Sequence, residues 1–158
     1  MNKINAPDNI CPIARSVAFL GDAWTILILR DANSGLTRFD QFRKSLGIAP
    51  TMLTKRLATL TEEKLLVKRP YAERPLREEY LLTDAGRDFL PVLVMIGAWG
   101  RKHRSEGNLL RLLDAETGED IQAVAIDAKT GAEIGSRQLE VLLPGRHEVD
   151  GSSRQEAD

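Results

Sequence analysis

Basic side chains are concentrated in one stretch of this sequence, from Thr37 to Tyr80. The stretch contains ten lysines and arginines against six aspartates and glutamates, whereas residues 104–158 contain six against twelve. A chain with a net charge of −1 has therefore gathered its positive charge in one segment. Because duplex DNA presents dense rows of phosphates, this distribution is typical of a phosphate-binding face.

The candidate DNA-contacting residues belong to two groups. Thr51, Thr54 and Lys55 would lie in the N-terminal half of a helix, the part that points at base edges in a major groove. The second group lies on the wing, a basic hairpin that follows this helix, where Lys68, Arg69, Arg74 and Arg77 could pair with phosphates. The full predicted set is Arg38, Pro50, Thr51, Thr54, Lys55, Arg56, Lys68, Arg69, Tyr71, Arg74 and Arg77. A solvated surface charge explains any single member equally well, but it does not explain the order of the motif.

Hydrophobic periodicity predicts the helices that must position these side chains. Apolar spacings of three and four predict four helices, over residues 11–20, 23–32, 38–46 and from Pro50 onward. Asp22 and Thr37 are suited to cap the second and third helices through their side-chain oxygens. Pro50 fits the first position of a helix, where its missing N–H needs no partner.

Two short strands are predicted next, over residues 65–69 and 79–82. The loop between them, residues 70–77, contains Pro70 and Pro75, which exclude a helix and favour an extended, protruding conformation. Two helices joined by a tight turn and followed by this hairpin predict an α+β fold of the winged helix-turn-helix class. N- and C-terminal dimerisation helices and a small C-terminal β-meander complete the predicted architecture.

The last predicted helix is capped by Thr83 and runs to about Lys102. Its apolar seam consists of Phe89, Val92, Leu93, Ile96 and Trp99. Such a seam can pack on its own domain, but its position outside the DNA-reading motif favours contact with a partner helix. We therefore expect a homodimer interface here, and the first helix is a candidate to share it.

The tail contains an internal repeat. Residues 114–118 and 127–131 both have the pattern Asp-Ala-X-Thr-Gly, and each is followed by an isoleucine at the same offset. Asp at the start and Gly at the end predict a tight turn with a left-handed glycine, and hence a β-meander over residues 109–143. A zinc knuckle is the weaker alternative, because Asp and Thr cannot replace its cysteines. The predicted domains are residues 1–106, a β-rich appendage 107–145 and a disordered tail 146–158.

Composition limits the remaining possibilities. A single cysteine cannot form an internal disulfide, and no basic-then-apolar segment opens the chain as a secretory signal would. No apolar run reaches membrane-spanning length. We expect a cytoplasmic protein without a membrane partner. His103 and His147 have no catalytic neighbours in the sequence, and no glycine loop could cradle a phosphate, so we expect no enzyme activity, cofactor or metal.

Several blocks of this chain resemble the HxlR family of bacterial transcriptional regulators, which is related to MarR-type proteins. The blocks are CPIARSVAFLGDAWTILILRD, GLTRFDQFRKSLGIAPTMLTKRLATLTEEKLL and EYLLTDAGR, with a PVL…WG helix end. The resemblance covers residues 11–101. It implies a winged-helix homodimer on a partly palindromic operator, acting as repressor or activator. It would place residues 50, 51 and 54–56 on the recognition helix, with Arg74 and Arg77 on the wing. Ala49 departs from the family, whose members usually have serine at this helix cap.

Cys11 is a candidate sensor, because relatives with a Cys-Pro pair at this position respond to quinones, aldehydes or oxidants. A helix N-terminus can activate a thiol. Against this, Ile10 and Ile13 create an apolar neighbourhood, and cysteine is a common small core residue. Both explanations stay open at the level of sequence. A small-molecule effector is also open, and the acidic tail could serve as a lid, a dimer accessory or a solubilising segment.

The rival function is a protein-interaction module that retains the winged-helix fold without reading DNA. Both functions use the same elements, so the pattern alone does not separate them. Salt dependence does, because DNA affinity falls steeply as salt rises.

Overall fold

The computed structural model describes residues 10–142, and its element order confirms the winged helix-turn-helix. The elements are α1 (Pro12–Leu20), α2 (Ala23–Asn33), α3 (Phe39–Leu46), α4 (Pro50–Glu62), β1 (Leu66–Glu73), β2 (Leu76–Leu82), α5 (Asp84–Arg87) and α6 (Leu90–His103). The turn between α3 and α4 contains Gly47, which ends α3 in the left-handed conformation at φ 62°. Glycine adopts this conformation without a steric cost.

The core lies between α2, α3, α4 and the start of β1. Its fully buried side chains include Ile28 and Leu29 from α2, Phe42 from α3, and Leu53 and Leu57 from α4. Burial of each such side chain stabilises the fold by about 1.5–3 kcal/mol. Because α2 also packs against α6 and β2, it is the central helix that its nearly all-round apolar sequence predicts.

Two of the three predicted helix caps are confirmed. Asp22 Oδ1 accepts from Thr25 N–H at 3.0 Å, and Thr83 Oγ1 accepts from Gly86 N–H at 3.1 Å. The prediction for Thr37 is wrong, because the capping position of α3 is Arg38. Gln41 Oε1 satisfies this end of the helix instead, accepting from the backbone N–H groups of Thr37 at 3.0 Å and Arg38 at 2.9 Å.

The wing hairpin is longer than predicted. Its two antiparallel strands pair from Leu66 opposite Leu82 to Glu73 opposite Leu76, so the turn contains only Arg74 and Pro75, joined by a cis peptide bond. The predicted loop over residues 70–77 is therefore wrong. Pro70 is accommodated because the ladder is irregular between Pro70 and Ala72, and proline is tolerated at such bulges.

The long helix predicted after Thr83 is two helices. α5 ends at Arg87 and α6 begins at Leu90. Pro91 explains the break, because a proline ring clashes with the carbonyl four residues earlier, which here belongs to Arg87.

The tail contains two closed turns rather than a β-meander. In its described part, each turn is closed by a single bridge, Leu113 with Asp120 and Ile126 with Glu133, and no strand forms. One compact unit extends to Val124 and a second begins at Ala125. The predicted domain limits stay a prediction, and the expected disorder of residues 146–158 lies outside the described residues.

No single helix within residues 10–142 is long and apolar enough to cross a membrane. By length and composition, α1 and α2 reach that threshold only as a pair, and the pair is bent by 86°.

Candidate nucleic-acid interface

The N-terminal half of α4 presents a polar, exposed face. Pro50, Thr51, Thr54 and Lys55 are exposed, while the apolar side of the helix is buried in the core. Thr54 Oγ1 donates to the backbone oxygen of Pro50 at 3.0 Å. Its hydrogen is therefore already used, and Thr54 offers a potential ligand lone pairs and a methyl group. Lys55 forms no ion pair within the described part of the chain.

Arg56, the next residue on α4, is engaged elsewhere. Its Nη2 lies 2.6 Å from Asp22 Oδ2, and the two side chains are only 17% and 27% exposed. Its Nε is buried without a hydrogen-bond partner. The prediction that Arg56 reaches a phosphate conflicts with this geometry, because the guanidinium would have to leave its pair. Arg56 instead fixes α4 to the start of α2.

Three wing arginines are exposed and unpaired. Arg69, Arg74 and Arg77 form no ion pair among residues 10–142. Lys68 differs, because its Nζ lies 2.7 Å from Glu78 Oε2 and 5.7 Å from the centre of the Tyr80 ring. The hydrogen bond with Glu78 raises the pKa of Lys68 above its ordinary value. Lys68 is charged but locally compensated, so it adds less to a phosphate-binding surface than the three arginines do.

Arg38 and Tyr71 form a contact that joins α3 to the wing. The Arg38 guanidinium carbon lies 4.5 Å from the centre of the Tyr71 ring, which is the geometry of a cation–π contact. The backbone reinforces this junction. Tyr80 N–H donates to Thr37 O at 2.7 Å, and Arg38 and Glu79 form an isolated antiparallel β-bridge. The sequence predicts Arg38 and Tyr71 as separate DNA contacts, and the structure brings them together beside the polar cleft between α3 and the wing.

Asp22 has a second role besides capping α2, and the sequence pattern predicts only the cap. Its two carboxylate oxygens have different partners. Oδ1 accepts a hydrogen bond from the first turn of α2, and Oδ2 forms the ion pair with Arg56. An acidic residue distant in the sequence carries no periodic signal that would connect it to α4. Only the packing of α2 on α4 reveals the pair.

An apolar groove opens between α1, α2 and α6, and we call it the α1–α6 groove. It encloses about 700 Å³ and is lined by Ile13 and Val17 of α1, Ile26 of α2, and Val92 and Ile96 of α6, among others. Four of these five side chains are more than 40% exposed, Ile26 being half-buried. Both α1 and α6 line this surface, as the expectation that the first helix shares the α6 interface requires.

The α6 seam itself divides in two. Phe89 and Leu93 pack against the core, whereas Val92, Ile96 and Trp99 are exposed. Part of the predicted seam thus belongs to the domain's own packing, and the remainder is available to a partner.

Cys11 lies at the exposed N-terminus of α1. Ile10 and Ile13 beside it are 48% and 74% exposed, so they do not enclose the thiol within this chain. The alternative of a buried core cysteine is therefore wrong for the single chain.

In both tail turns, the aspartate side chains that a metal would need already accept hydrogen bonds from the turn itself. Asp114 Oδ1 accepts from the backbone of Glu116 and Thr117, both at 2.9 Å. Asp127 accepts from Lys129 N–H at 2.9 Å and from Thr130 Oγ1 at 2.7 Å. Gly118 and Gly131 have φ of 72° and 68°, which confirms the left-handed glycines. No group of three or more metal-ligating side chains occurs in the described residues.

Comparison with known proteins identifies this arrangement. The family model of the HxlR-like helix-turn-helix matches residues 19–108, from the end of α1 through the wing and α6. The chain belongs to the HxlR-like helix-turn-helix family. It is accordingly a transcriptional regulator of the helix-turn-helix type and not an enzyme.

The similarity between this HxlR-like chain and its relatives extends beyond the winged helix. It is 37% identical over 129 residues to the uncharacterised HTH-type transcriptional regulator Rv3095 of Mycobacterium tuberculosis, covering 80% of this chain and 82% of that protein. The crystal structure of PA1607, a candidate transcription factor, is 37% identical with a TM-score of 0.78 and covers 85% of this chain and 96% of its own. PA1374 of Pseudomonas aeruginosa, also a candidate transcription factor, is 43% identical with a TM-score of 0.61, and the match covers 87% and 96% of the two chains.

The matches to PA1607 and PA1374 extend into the tail. Residues 1–108 are 108 of 158, or about two thirds of the chain, so the matches to PA1607 and PA1374 must include tail residues. Part of the tail is thus common to this chain and these two proteins. A shorter neighbour, the redox regulator HypR in its reduced form, is 27% identical with a TM-score of 0.56 and covers 60% of this chain and 94% of its own.

Proposed function

We propose that this HxlR-like regulator binds a palindromic operator as a homodimer in the cytoplasm and acts as a repressor. The observation that carries the proposal is the exposed N-terminal half of α4 beside the wing. In the part of the chain that the structure describes, Lys55 of α4 and the three wing arginines form no ion pair. A helix with free donors at this end fits a major groove, and the wing arginines fit flanking phosphates.

Selection of DNA by the purified protein, followed by sequencing, tests this proposal. The expected product is an inverted repeat whose half-site centres are separated by about one helical turn, roughly 10 base pairs. Lys55→Ala and Arg74→Ala should each weaken binding to the selected site. Lys102→Ala is the matched control, because Lys102 is an exposed cation on α6 away from this face. If no DNA sequence is enriched and the protein still binds a protein partner, the result would favour the protein-interaction module.

The α1–α6 groove supports the dimer part of the proposal. Its exposed aliphatic side chains from α1 and α6 form one apolar surface, and such surfaces are typical of protein–protein contacts. Ile96→Glu should shift the protein from dimer to monomer in sedimentation velocity, because it places a charge in this patch. Val124→Glu is the control, since Val124 is similarly exposed but lies in the tail. A dimer that survives Ile96→Glu would contradict the assignment of the interface.

Thiol sensing through Cys11 is a second candidate property. Two observations favour it: Cys11 is exposed at the N-terminus of α1, and the neighbour HypR is a redox regulator solved in reduced and oxidised forms. Diamide or methylglyoxal should release the wild-type protein from its DNA, whereas Cys11→Ser should bind DNA normally and stay bound during treatment. A wild-type protein that ignores both reagents would exclude this mode of control.

A further inference from the structure

A second groove, which we call the α6–tail groove, lies within the first compact unit, between α6, the end of α2 and residues 110–123. It encloses about 500 Å³. One wall is formed by Leu90, Leu93 and Val94 of α6, and the opposite wall by Leu110, Leu112 and Ile121 of the tail. All apolar side chains that line it are aliphatic, with no aromatic ring among them. Such walls suit an alkyl chain better than a flat ring, which gains from stacking.

The tail wall is held in a fixed geometry. Ile121 N–H donates to Leu112 O at 2.8 Å, so these two wall residues lie side by side. Arg111 closes the same turn through a paired contact with Asp120, with Nε–Oδ1 at 2.9 Å and Nη2–Oδ2 at 2.7 Å. Arg101 of α6 attaches to this segment by donating from Nη2 to Leu110 O at 2.9 Å. A preformed cavity requires little ordering on binding and so favours a ligand.

Positive charge lies along the groove. Three arginines line it, Arg30, Arg101 and Arg111. Arg30 is paired with Asp31 at 2.6 Å, and Arg111 is paired with Asp120. Arg101 forms no ion pair among the described residues, and only its Nη2 has a hydrogen-bond acceptor there. Three arginines against two aspartates leave one positive charge beside an aliphatic cavity.

We propose that the α6–tail groove binds an aliphatic monocarboxylate. Its alkyl chain would lie between the two leucine-rich walls, and its carboxylate would accept hydrogen bonds from the guanidinium of Arg101. Charge complementarity favours this occupant over an apolar helix from a second copy. Such a helix would bury Arg101 with no nearby carboxylate among the described residues except Asp120, which already pairs with Arg111. The proposal concerns ligand binding alone and does not depend on DNA binding.

The groove offers a precise site for a blocking substitution. Gly97 of α6 lines the cavity, and a Cβ placed there would have no atom within 4 Å. Gly97→Leu should therefore place a bulky side chain in the cavity from a Cβ that has room, and leucine favours a helix more than glycine does. Gly100→Leu is the matched control, because Gly100 lies on the same helix in open space but outside the groove.

Titration calorimetry of the full chain with octanoate, and with octanamide as its uncharged counterpart, tests the proposal. Wild type should bind octanoate at least tenfold more tightly than octanamide. Gly97→Leu should abolish octanoate binding and Gly100→Leu should preserve it. Arg101→Gln should reduce octanoate affinity to the octanamide level, while Lys102→Gln should not. Circular dichroism melting confirms that each variant is folded.

Three results would overturn the proposal. They are no octanoate binding to wild type at millimolar concentration, equal affinity for octanoate and octanamide, and octanoate binding that Gly97→Leu leaves unchanged. A change of oligomeric state in Gly97→Leu would show that a second copy occupies the groove, and this outcome also counts against it.

Discussion

Lys55 and Arg56 are neighbouring cations on α4 with different surroundings. Lys55 is exposed and unpaired, whereas Arg56 is mostly buried against Asp22. Exposed pairs contribute about 0–1 kcal/mol, and breaking a fully buried pair costs about 3–5 kcal/mol. The Arg56–Asp22 pair lies between these limits, since both side chains keep some exposure. Under the proposed function, Lys55 is available to DNA, whereas Arg56 holds the position of α4 against the start of α2.

Alanine substitutions should separate these two roles. Arg56→Ala is expected to lower the free energy of unfolding by about 2 kcal/mol, because it leaves Asp22 Oδ2 without its cation. Lys55→Ala should change it by less than about 0.5 kcal/mol, as exposed substitutions do, while weakening DNA binding. Urea unfolding and DNA titration of both variants check this. Equal stability of the two variants would contradict the positioning role of Arg56.

Ala49 leaves the first turn of α4 without a side-chain cap. The structure confirms Ala49 at the capping position, with an extended backbone and no side-chain hydrogen bond. A serine there can accept from the unpaired N–H groups of the first turn, so Ala49→Ser should stabilise the protein by about 0.5–2 kcal/mol. Thermal melting measures this as a higher Tm. An unchanged Tm would mean that another group already satisfies this turn.

At the scale of elements, α5 is positioned by a close backbone contact. A Cβ at Gly86 would lie 2.2 Å from Leu65 O and 2.9 Å from a Leu82 methyl carbon. No side chain can occupy that space without moving α5 away from the wing. The glycine in the Leu-Thr-Asp-Ala-Gly-Arg segment is therefore explained by packing.

Gly86→Ala should destabilise the fold by about 1–3 kcal/mol or more, because overpacking forces the backbone to shift. Gly100→Ala is the control, since a Cβ there meets nothing within 4 Å and alanine favours a helix. Chemical unfolding should therefore show a loss for the first variant and no loss for the second. Similar stability of both would mean that α5 can move freely.

The two tail turns should be sensitive to acid. Backbone hydrogen bonds from Thr117 and Glu116 lower the pKa of Asp114, and those from Lys129 with the Thr130 hydroxyl lower the pKa of Asp127. A lowered folded pKa means that the ionised carboxylate stabilises the turn. This contribution is complete above the ordinary aspartate pKa of about 3.9 and is lost as pH falls through the lower folded value.

Amide NMR follows this loss directly. The amide signals of Thr117 and Lys129 should move toward random-coil positions below about pH 4, while Asp114→Asn should weaken the first turn at neutral pH as well. Turn signals that stay unchanged down to pH 2 would contradict the carboxylate's role.

Periodicity predicted most elements, and its failures have identifiable causes. Pro91 indicates a break between α5 and α6 in the sequence. The apolar spacing continues across it, however, and therefore predicts one continuous helix. The predicted wing strands are too short because a proline normally ends a strand, and the prediction therefore ends the first strand before Pro70. In the structure, a bulge accommodates Pro70 and the strand continues. The Arg56–Asp22 pair and the Arg38–Tyr71 contact depend on how distant segments pack, which local spacing does not encode.

At the scale of the whole molecule, function depends on where charge lies rather than on its total. The chain has a net charge of −1. Within residues 10–142, however, four cations on α4 and the wing form no ion pair, namely Lys55, Arg69, Arg74 and Arg77. Four contacts from one copy give modest affinity, and two copies double the number of phosphates engaged. The proposed dimer thus makes a locally basic and globally acidic chain an effective DNA binder.

The salt dependence of binding to the selected operator tests this account most directly. With about 0.9 counterions released per phosphate contact, eight contacts predict a slope of roughly −7 for the logarithm of the association constant against the logarithm of salt concentration. Removing Lys55 and Arg74 together should reduce the slope to roughly half, because four of the eight contacts are lost. A slope near zero, or one that these two substitutions leave unchanged, would contradict DNA binding through α4 and the wing.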